Sequence, residues 1–439
     1  MKEFKDISAA QMGRDIATGR IDPVEVTEAF LDAASTHEFG SRIYARLTKE
    51  RALAEAQAAR LRAKDGQRRH ALDGVPISWK DLFDSAGTQT NAGSDLLAGR
   101  VPARDARVLQ TASQAGLICL GKTHMSELAF FGLGLNPVTE TTPCVNDTGA
   151  VSGGSSSGAA GSVAFGLAAA AVGSDTGGSV RIPAAWNDLV GLKTTHGRLS
   201  LEGVVPLVSR FDTVGPLCRT VEDAGLMLGA LEGATPPDLS GADLRGRRFG
   251  VLQSVALDDL QDAPAAAFDA TCSKLSASGA TLCPFHFEEV SCALADAGAL
   301  YTSEAWATWG EVIAARPDAM YAPVRARFEA GRNVSASEYI RAWSRLETMR
   351  AKWQRATAQF DAVLMPSSPI LPPKIDDLLA DEAYCTSQNI LALRNTRIGN
   401  LTGGASLTLP TDIPSCGLML LGPPGSEHML LRLGAAMGH

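Results

Sequence analysis

Gly153-Gly154-Ser155-Ser156-Ser157-Gly158 and, after a run of small apolar residues, Asp175-Thr176-Gly177-Gly178-Ser179-Val180-Arg181 organise the centre of this 439-residue chain. Between them, residues 158–165 have the composition of a helix. Residues 169–173 read as a strand packed closely enough to require small side chains. Both glycine-serine stretches therefore join buried elements. A Gly-Ser run can also be a flexible linker, but here a continuous apolar segment follows the first run at once and buries its end.

Further out, residues 116–121 read as a buried strand, and Thr220 with Asp223 opens a helix through Leu231. Strands at 248–252 and 280–284 flank a helix at 264–277 that begins with proline, a βαβ pattern. Helices at 335–355 and 426–437 and strands at 362–365, 406–409 and 418–421 complete the second half. At the N-terminus, Ser8 with Gln11 starts a helix, Asp22-Pro23-Val24-Glu25 starts a second, and 48–64 forms an alanine-rich third that stops near Gly66. No repeat, charge block or proline-rich linker divides the chain. The expectation is a single large α/β domain over 1–439, with a mixed, mostly parallel sheet covered by helices on both faces. It comprises N-terminal helices (1–66), a glycine-rich core (72–217) and a helical cap (285–358).

Hydrophobic residues make up 45% and charged residues 20%, an ordinary globular balance. A net charge of −8 argues against a nucleic-acid or anionic-membrane surface. The eight cysteines form no Cys-x-x-Cys pair and read as small buried thiols in a reducing compartment. No His/Cys/Asp/Glu cluster has metal spacing, so neither metal nor cofactor is expected. Met1-Lys2-Glu3-Phe4-Lys5-Asp6 lacks the apolar core of a signal peptide, and the small apolar run at 163–172 is too short to span a bilayer. These features predict a cytoplasmic protein, monomer or homodimer, whose ligand is a small molecule.

Three residue types in these segments carry chemistry. Gly177-Gly178 permits a tight turn whose N–H groups converge beside the Ser179 hydroxyl, a nucleophile next to donors for an oxyanion. Alone, this reads equally as a loop with a solvated serine. Lys80 ends the alternating run Val75, Ile77, Trp79 and should lie beneath other layers, where burial lowers a lysine pKa. Alone, it reads as an exposed lysine paired with Asp81 or Asp84. Ser155, in a glycine-flanked loop, can relay a proton between the two.

Jointly these segments resemble the amidase signature family. Ser155 and Ser179 lie 24 residues apart, the interval of that family. Gly74-Val75-Pro76-Ile77-x-x-Lys80-Asp81, Gly121-Lys122-Thr123, Asp175-Thr176-Gly177-Gly178-Ser179-x-Arg181-x-Pro183, Gly191-Leu192-Lys193 and Asp212-Thr213-Val214-Gly215-Pro216 also match. The similarity is dense over 72–217 and looser elsewhere. It implies the amidase signature fold and hydrolysis of a linear, non-peptide carboxamide without a cofactor. Lys80 would be the general base, Ser155 the relay and Ser179 the nucleophile. The N–H groups of Thr176, Gly177, Gly178 and Ser179 would form the oxyanion hole. The resemblance also implies a cis bond between Gly154 and Ser155.

Two competing motifs fail on context. Gly116 to Thr123 fits a nucleotide phosphate loop in form, but its middle residues are those of a buried strand. Gly154-Ser155-Ser156-Ser157-Gly158 fits Gly-x-Ser-x-Gly, but no convincing strand precedes it. For the substrate, His124 reads as a pocket residue or a structural histidine. Arg394 and Arg397 read as carboxylate holders or as structural ion pairs. Trp306, Trp309 and Tyr339 read as an aromatic pocket or as core. Within the family, the amidase component of the tRNA-dependent amidotransferase carries an amine-binding aspartate where this chain has Leu393, so a stand-alone amidase is the expectation. The tyrosine–arginine clamp of allophanate hydrolases is broken at Trp309, which follows Tyr301. An inactive scaffold on the same fold is the reading of another class.

Overall fold

The computed structural model describes residues 4–439; Met1 to Glu3, which open the segment read above for a leader, lie outside the described residues. Among the described residues eleven strands form one sheet: β1 (Tyr44–Leu47), β2 (Pro76–Lys80), β3 (Ile118–Thr123), β4 (Ala170–Asp175), β5 (Val190–Lys193), β6 (Thr213–Cys218), β7 (Arg248–Leu252), β8 (Thr281–Phe285), β9 (Ala362–Pro366), β10 (Ser406–Pro410) and β11 (Gly417–Leu421). Their order is β1-β3-β2-β4-β6-β5-β10-β11-β9-β7-β8. Every residue of β2, β3, β4, β5, β6 and β9 is buried, so helices cover the centre of the sheet on both faces.

The sheet is mixed, as expected, but not mostly parallel. Four pairings are parallel, β2 with β3 and β4, and β7 with β8 and β9. The other six are antiparallel. Three of the antiparallel pairings involve β5 and β6, which the sequence pattern did not reveal. Glycine lies inside both, and β6 carries Pro216 although it is a central strand, against the usual exclusion of proline.

Local sequence sets the helix starts. Ser8 Oγ accepts the Gln11 N–H at 3.1 Å, and Asp22 accepts the Val24 N–H at 2.8 Å just ahead of Pro23. Thr220 and Asp223 cap each other reciprocally. Each such cap contributes about 1 kcal/mol.

The site is positioned by two parallel neighbours. Ile77 aligns with Ala170 and Trp79 with Val172, so β2 and β4 end side by side and present Lys80 next to Ser174. Carboxyl ends of parallel strands are where α/β sheets place their chemistry. The helix Ser157–Ala164 packs over them, so close that a Cβ on Gly173 of β4 would lie 2.7 Å from Ser156 Oγ at the start of that helix. That approach explains the small residues around it. No helix among the described residues is long and apolar enough to cross a membrane.

Candidate active site

Lys80 is fully buried, and its Nζ donates to Ser155 Oγ at 2.7 Å and to Ser174 Oγ at 2.7 Å. Neither acid considered for an ion pair reaches it. Asp81 pairs with Arg46 and Lys122, and Asp84 with Arg100. Burial therefore pushes the Lys80 pKa from 10.5 down to about 7, against the pull of Asp175 and Asp212. The Gly154–Ser155 peptide bond is cis. Ser174 was missed in the sequence; it sits one residue before the Asp-Thr-Gly-Gly-Ser run and looks like any strand serine.

Ser179 lies on the turn between β4 and the helix Arg181–Trp186, and is 4% exposed. Its loop is tied to that of Ser155 through the Ser156 N–H, which donates to the Ser179 carbonyl at 3.2 Å. Ser155 and Ser179 are not directly hydrogen-bonded in this state. The turn itself is set by Asp175, whose carboxylate accepts the Gly178 and Val180 N–H groups and a charge-assisted pair from Arg181. Burial alone would raise the Asp175 pKa, but Arg181 holds it well below the usual carboxylate range.

This corrects one expectation. The Gly178 N–H is spent on Asp175, so it is not free for an oxyanion. The N–H groups of Thr176, Gly177 and Ser179 have no acceptor among the described residues. Gly178 has another task. Its φ is +141°, and a Cβ there would sit 2.1 Å from Thr396 Oγ1. Gly178→Ala is expected to cost about 1–3 kcal/mol, read as a fall in the urea midpoint at unchanged m-value.

Ser179 opens into a narrow cavity walled by Phe130, Leu207, Tyr301, Arg327, Leu393 and Arg397, with no acidic residue in its lining among the described residues. Tyr301 donates to the Thr176 carbonyl at 3.0 Å and so braces the turn. A wider groove between helices Glu289–Ala315 and Ala336–Thr357 holds none of these residues.

The Amidase family model matches residues 25–431. The chain belongs to the amidase signature family. It is 35% identical to 2-amino-5-chloromuconic acid deaminase of Comamonas testosteroni over 98% of this chain and 96% of that protein. It is 31% identical to a glutamyl-tRNA(Gln) amidotransferase subunit of Chloroflexus aggregans over 99% of this chain and 96% of that protein. A crystal structure of an amidase superposes with a TM-score of 0.88 at 29% identity, covering 98% of this chain and 99% of that one. The chain is thus an amidase-family hydrolase acting on C–N bonds.

In this amidase, three substrate-site expectations are corrected. His124 does not line the cavity; it is buried elsewhere, with its backbone N–H bound to Ile43 and its carbonyl to Gly158, and burial pushes its ring pKa to about 4. Trp309 donates from Nε1 to the Pro206 carbonyl at 2.9 Å and packs in the core. Arg394 turns outward to the Asp258 carbonyl and Asp259. Arg397 does line the cavity, just under one helical turn further along Glu382–Leu401. Arg327 joins it from the short helix Ala322–Glu329, where the sequence shows only charged residues at every second position, Arg325, Arg327 and Glu329.

Proposed function

We propose that this chain is a stand-alone amidase that hydrolyses a small carboxamide through an acyl-enzyme on Ser179, with Ser155 as proton relay and Lys80 as general base. The observation that carries the proposal is the 2.7 Å hydrogen bond between Lys80 Nζ and Ser155 Oγ in a site closed to water. Above a pH of about 7 the Lys80 amine is uncharged and has a lone pair to accept a proton. Lys80 takes the proton of Ser155, Ser155 takes that of Ser179, and Ser179 Oγ bonds to the carbonyl carbon. The carbonyl π pair moves to oxygen, which the N–H groups of Thr176, Gly177 and Ser179 stabilise. On collapse the C–N bond breaks, and the nitrogen leaves as ammonia or an amine with the relayed proton. Water then adds to the acyl-serine by the same path, and the acid departs as Ser179 regains its proton.

Residues 72–217, which carry Lys80, Ser155 and Ser179, form the catalytic core in this reading. Residues 285–358 form the cap, sending Tyr301 and Arg327 into the cavity. Glutamine-fed ammonia production, the role of the amidotransferase relative, fits less well. A glutamine ammonium would meet Leu393 and two guanidiniums rather than an acid. The other relative is a deaminase, and release of ammonia is common to deamination and primary-amide hydrolysis.

The test is fluorophosphonate labelling followed by peptide mapping, beside ammonia release from a panel of primary amides without added proteins. A single adduct on Ser179 and turnover lost in Ser179→Ala are expected. An unlabelled protein would favour the inactive scaffold, and near-normal turnover in Ser179→Ala would overturn the assignment.

A further inference from the structure

Arg327 and Arg397 form no ion pair and donate no hydrogen bond among the described residues. Each residue is only partly buried, yet its Nε atom is sealed from solvent without an acceptor. Both guanidiniums line the cavity into which Ser179 opens. Burying unpaired charge is costly, and a second like charge nearby adds to the cost. Burial accordingly lowers the pKa of both, and Arg397 adds to the fall of Arg327 to about 9. By contrast, the fully buried Arg181 is partnered by Asp175 and Asn400.

The two are also held in place. Arg327 stacks over the Phe130 ring at 4.7 Å and Arg397 over the Tyr301 ring at 5.6 Å. Tyr301 is in turn fixed to the Thr176 carbonyl. Arg397 Nε lies 3.8 Å from where a Cβ on Gly177 would project, so it borders the turn that holds the carbonyl under attack. Guanidiniums fixed in this way are prepared for a planar anion.

We infer that the substrate carries a carboxylate within a few bonds of its scissile carbonyl, held by Arg327 and Arg397, and has no ammonium beside it. The inference rests on the catalytic reading above. A half-amide of a short dicarboxylic acid has this chemistry: its carboxylate satisfies the two orphan cations, while its carboxamide reaches Ser179. The absence of an acid from the lining among the described residues rejects an α-amino group.

The experiment compares ammonia release from succinamate and fumaramate with release from their neutral methyl esters and from glutamine. The free acids are expected to exceed the esters in kcat/KM by 100-fold or more, with glutamine inert. In Arg327→Met and Arg397→Met that preference is expected to fall at least tenfold, mainly through KM, and Arg397→Lys should recover part of it. Protection of Ser179 from fluorophosphonate by succinate reads the same site without turnover, and both methionine variants should lose it. Esters turned over as well as acids, with Ser179 still labelled, would overturn this inference and leave the catalytic reading standing. Succinate protection that survives in both variants would overturn it as well. Ser179 unlabelled and every amide inert would instead remove the catalytic reading.

Discussion

Lys80→Met is expected to lower kcat/KM for amide hydrolysis by roughly 10³–10⁴-fold, the upper part of the range for loss of a general base. Among the described residues no second base hydrogen-bonds Ser155, so nothing replaces it: Ser174, the other group on Nζ, is a hydroxyl. The same variant has a second, opposite signature. The folded-state pKa of Lys80 lies below its ordinary 10.5, at about 7, so between these values the unfolded chain binds the extra proton. Stability therefore rises with pH across that window, and the burial penalty is fully present below pH 7. Lys80→Met removes the penalty. It should unfold at higher urea than the parent at pH 6, with the difference shrinking toward pH 10. A lysine serving only as a structural tether would give lower stability at both.

The other large effect is expected in stability rather than rate. Asp175→Ala should cost about 3–5 kcal/mol, because it strands the buried Arg181 guanidinium. The carboxylate also holds the Gly178 and Val180 N–H groups and the Asn400 amide at 2.9–3.1 Å. Its loss should therefore slacken the turn that carries Ser179, and turnover should fall as well. Since Asp175 is held below the ordinary carboxylate pKa, its contribution persists across neutral pH and is lost only as strong acid protonates it. The double variant Asp175→Ala/Arg181→Met should recover part of the stability, since an apolar pair can replace a buried ion pair at little cost. A loss under 1 kcal/mol for the single variant in urea unfolding would show that the turn is held by other means.

The parts of the site that come from short contiguous motifs were readable in the residues. Lys80, Ser155 and Ser179 each sit at a strand end or a glycine-bounded loop, and the spacing of the two serines is itself a signal. Of the cavity walls, Arg397 was a candidate; the others were not readable, because they come from segments far apart in sequence. Tyr301, Arg327 and Arg397 lie on three different helices, and the packing of Glu289–Ala315 against the other two brings them to one place. The helix Glu382–Leu401 has little apolar periodicity because its buried face carries Asn389, Asn395, Thr396 and Asn400. Those residues hydrogen-bond Gly132, Ala256, Gly177 and Asp175, so polar chemistry stands where an apolar stripe would announce a helix. Arg394 and Arg397 lie less than one turn apart, and sequence could not tell which faced inward. Likewise the Gly178 N–H could be assigned to Asp175 only with the turn in view.

The most direct test of the central claim is the titration of Lys80 in the folded protein, followed by NMR of 13C-labelled lysine and assigned by its absence in Lys80→Met. A midpoint of about 7, coincident with the acid limb of kcat/KM, is the expected result. A Lys80 that stays charged up to its ordinary 10.5 would contradict a neutral base at the head of the relay.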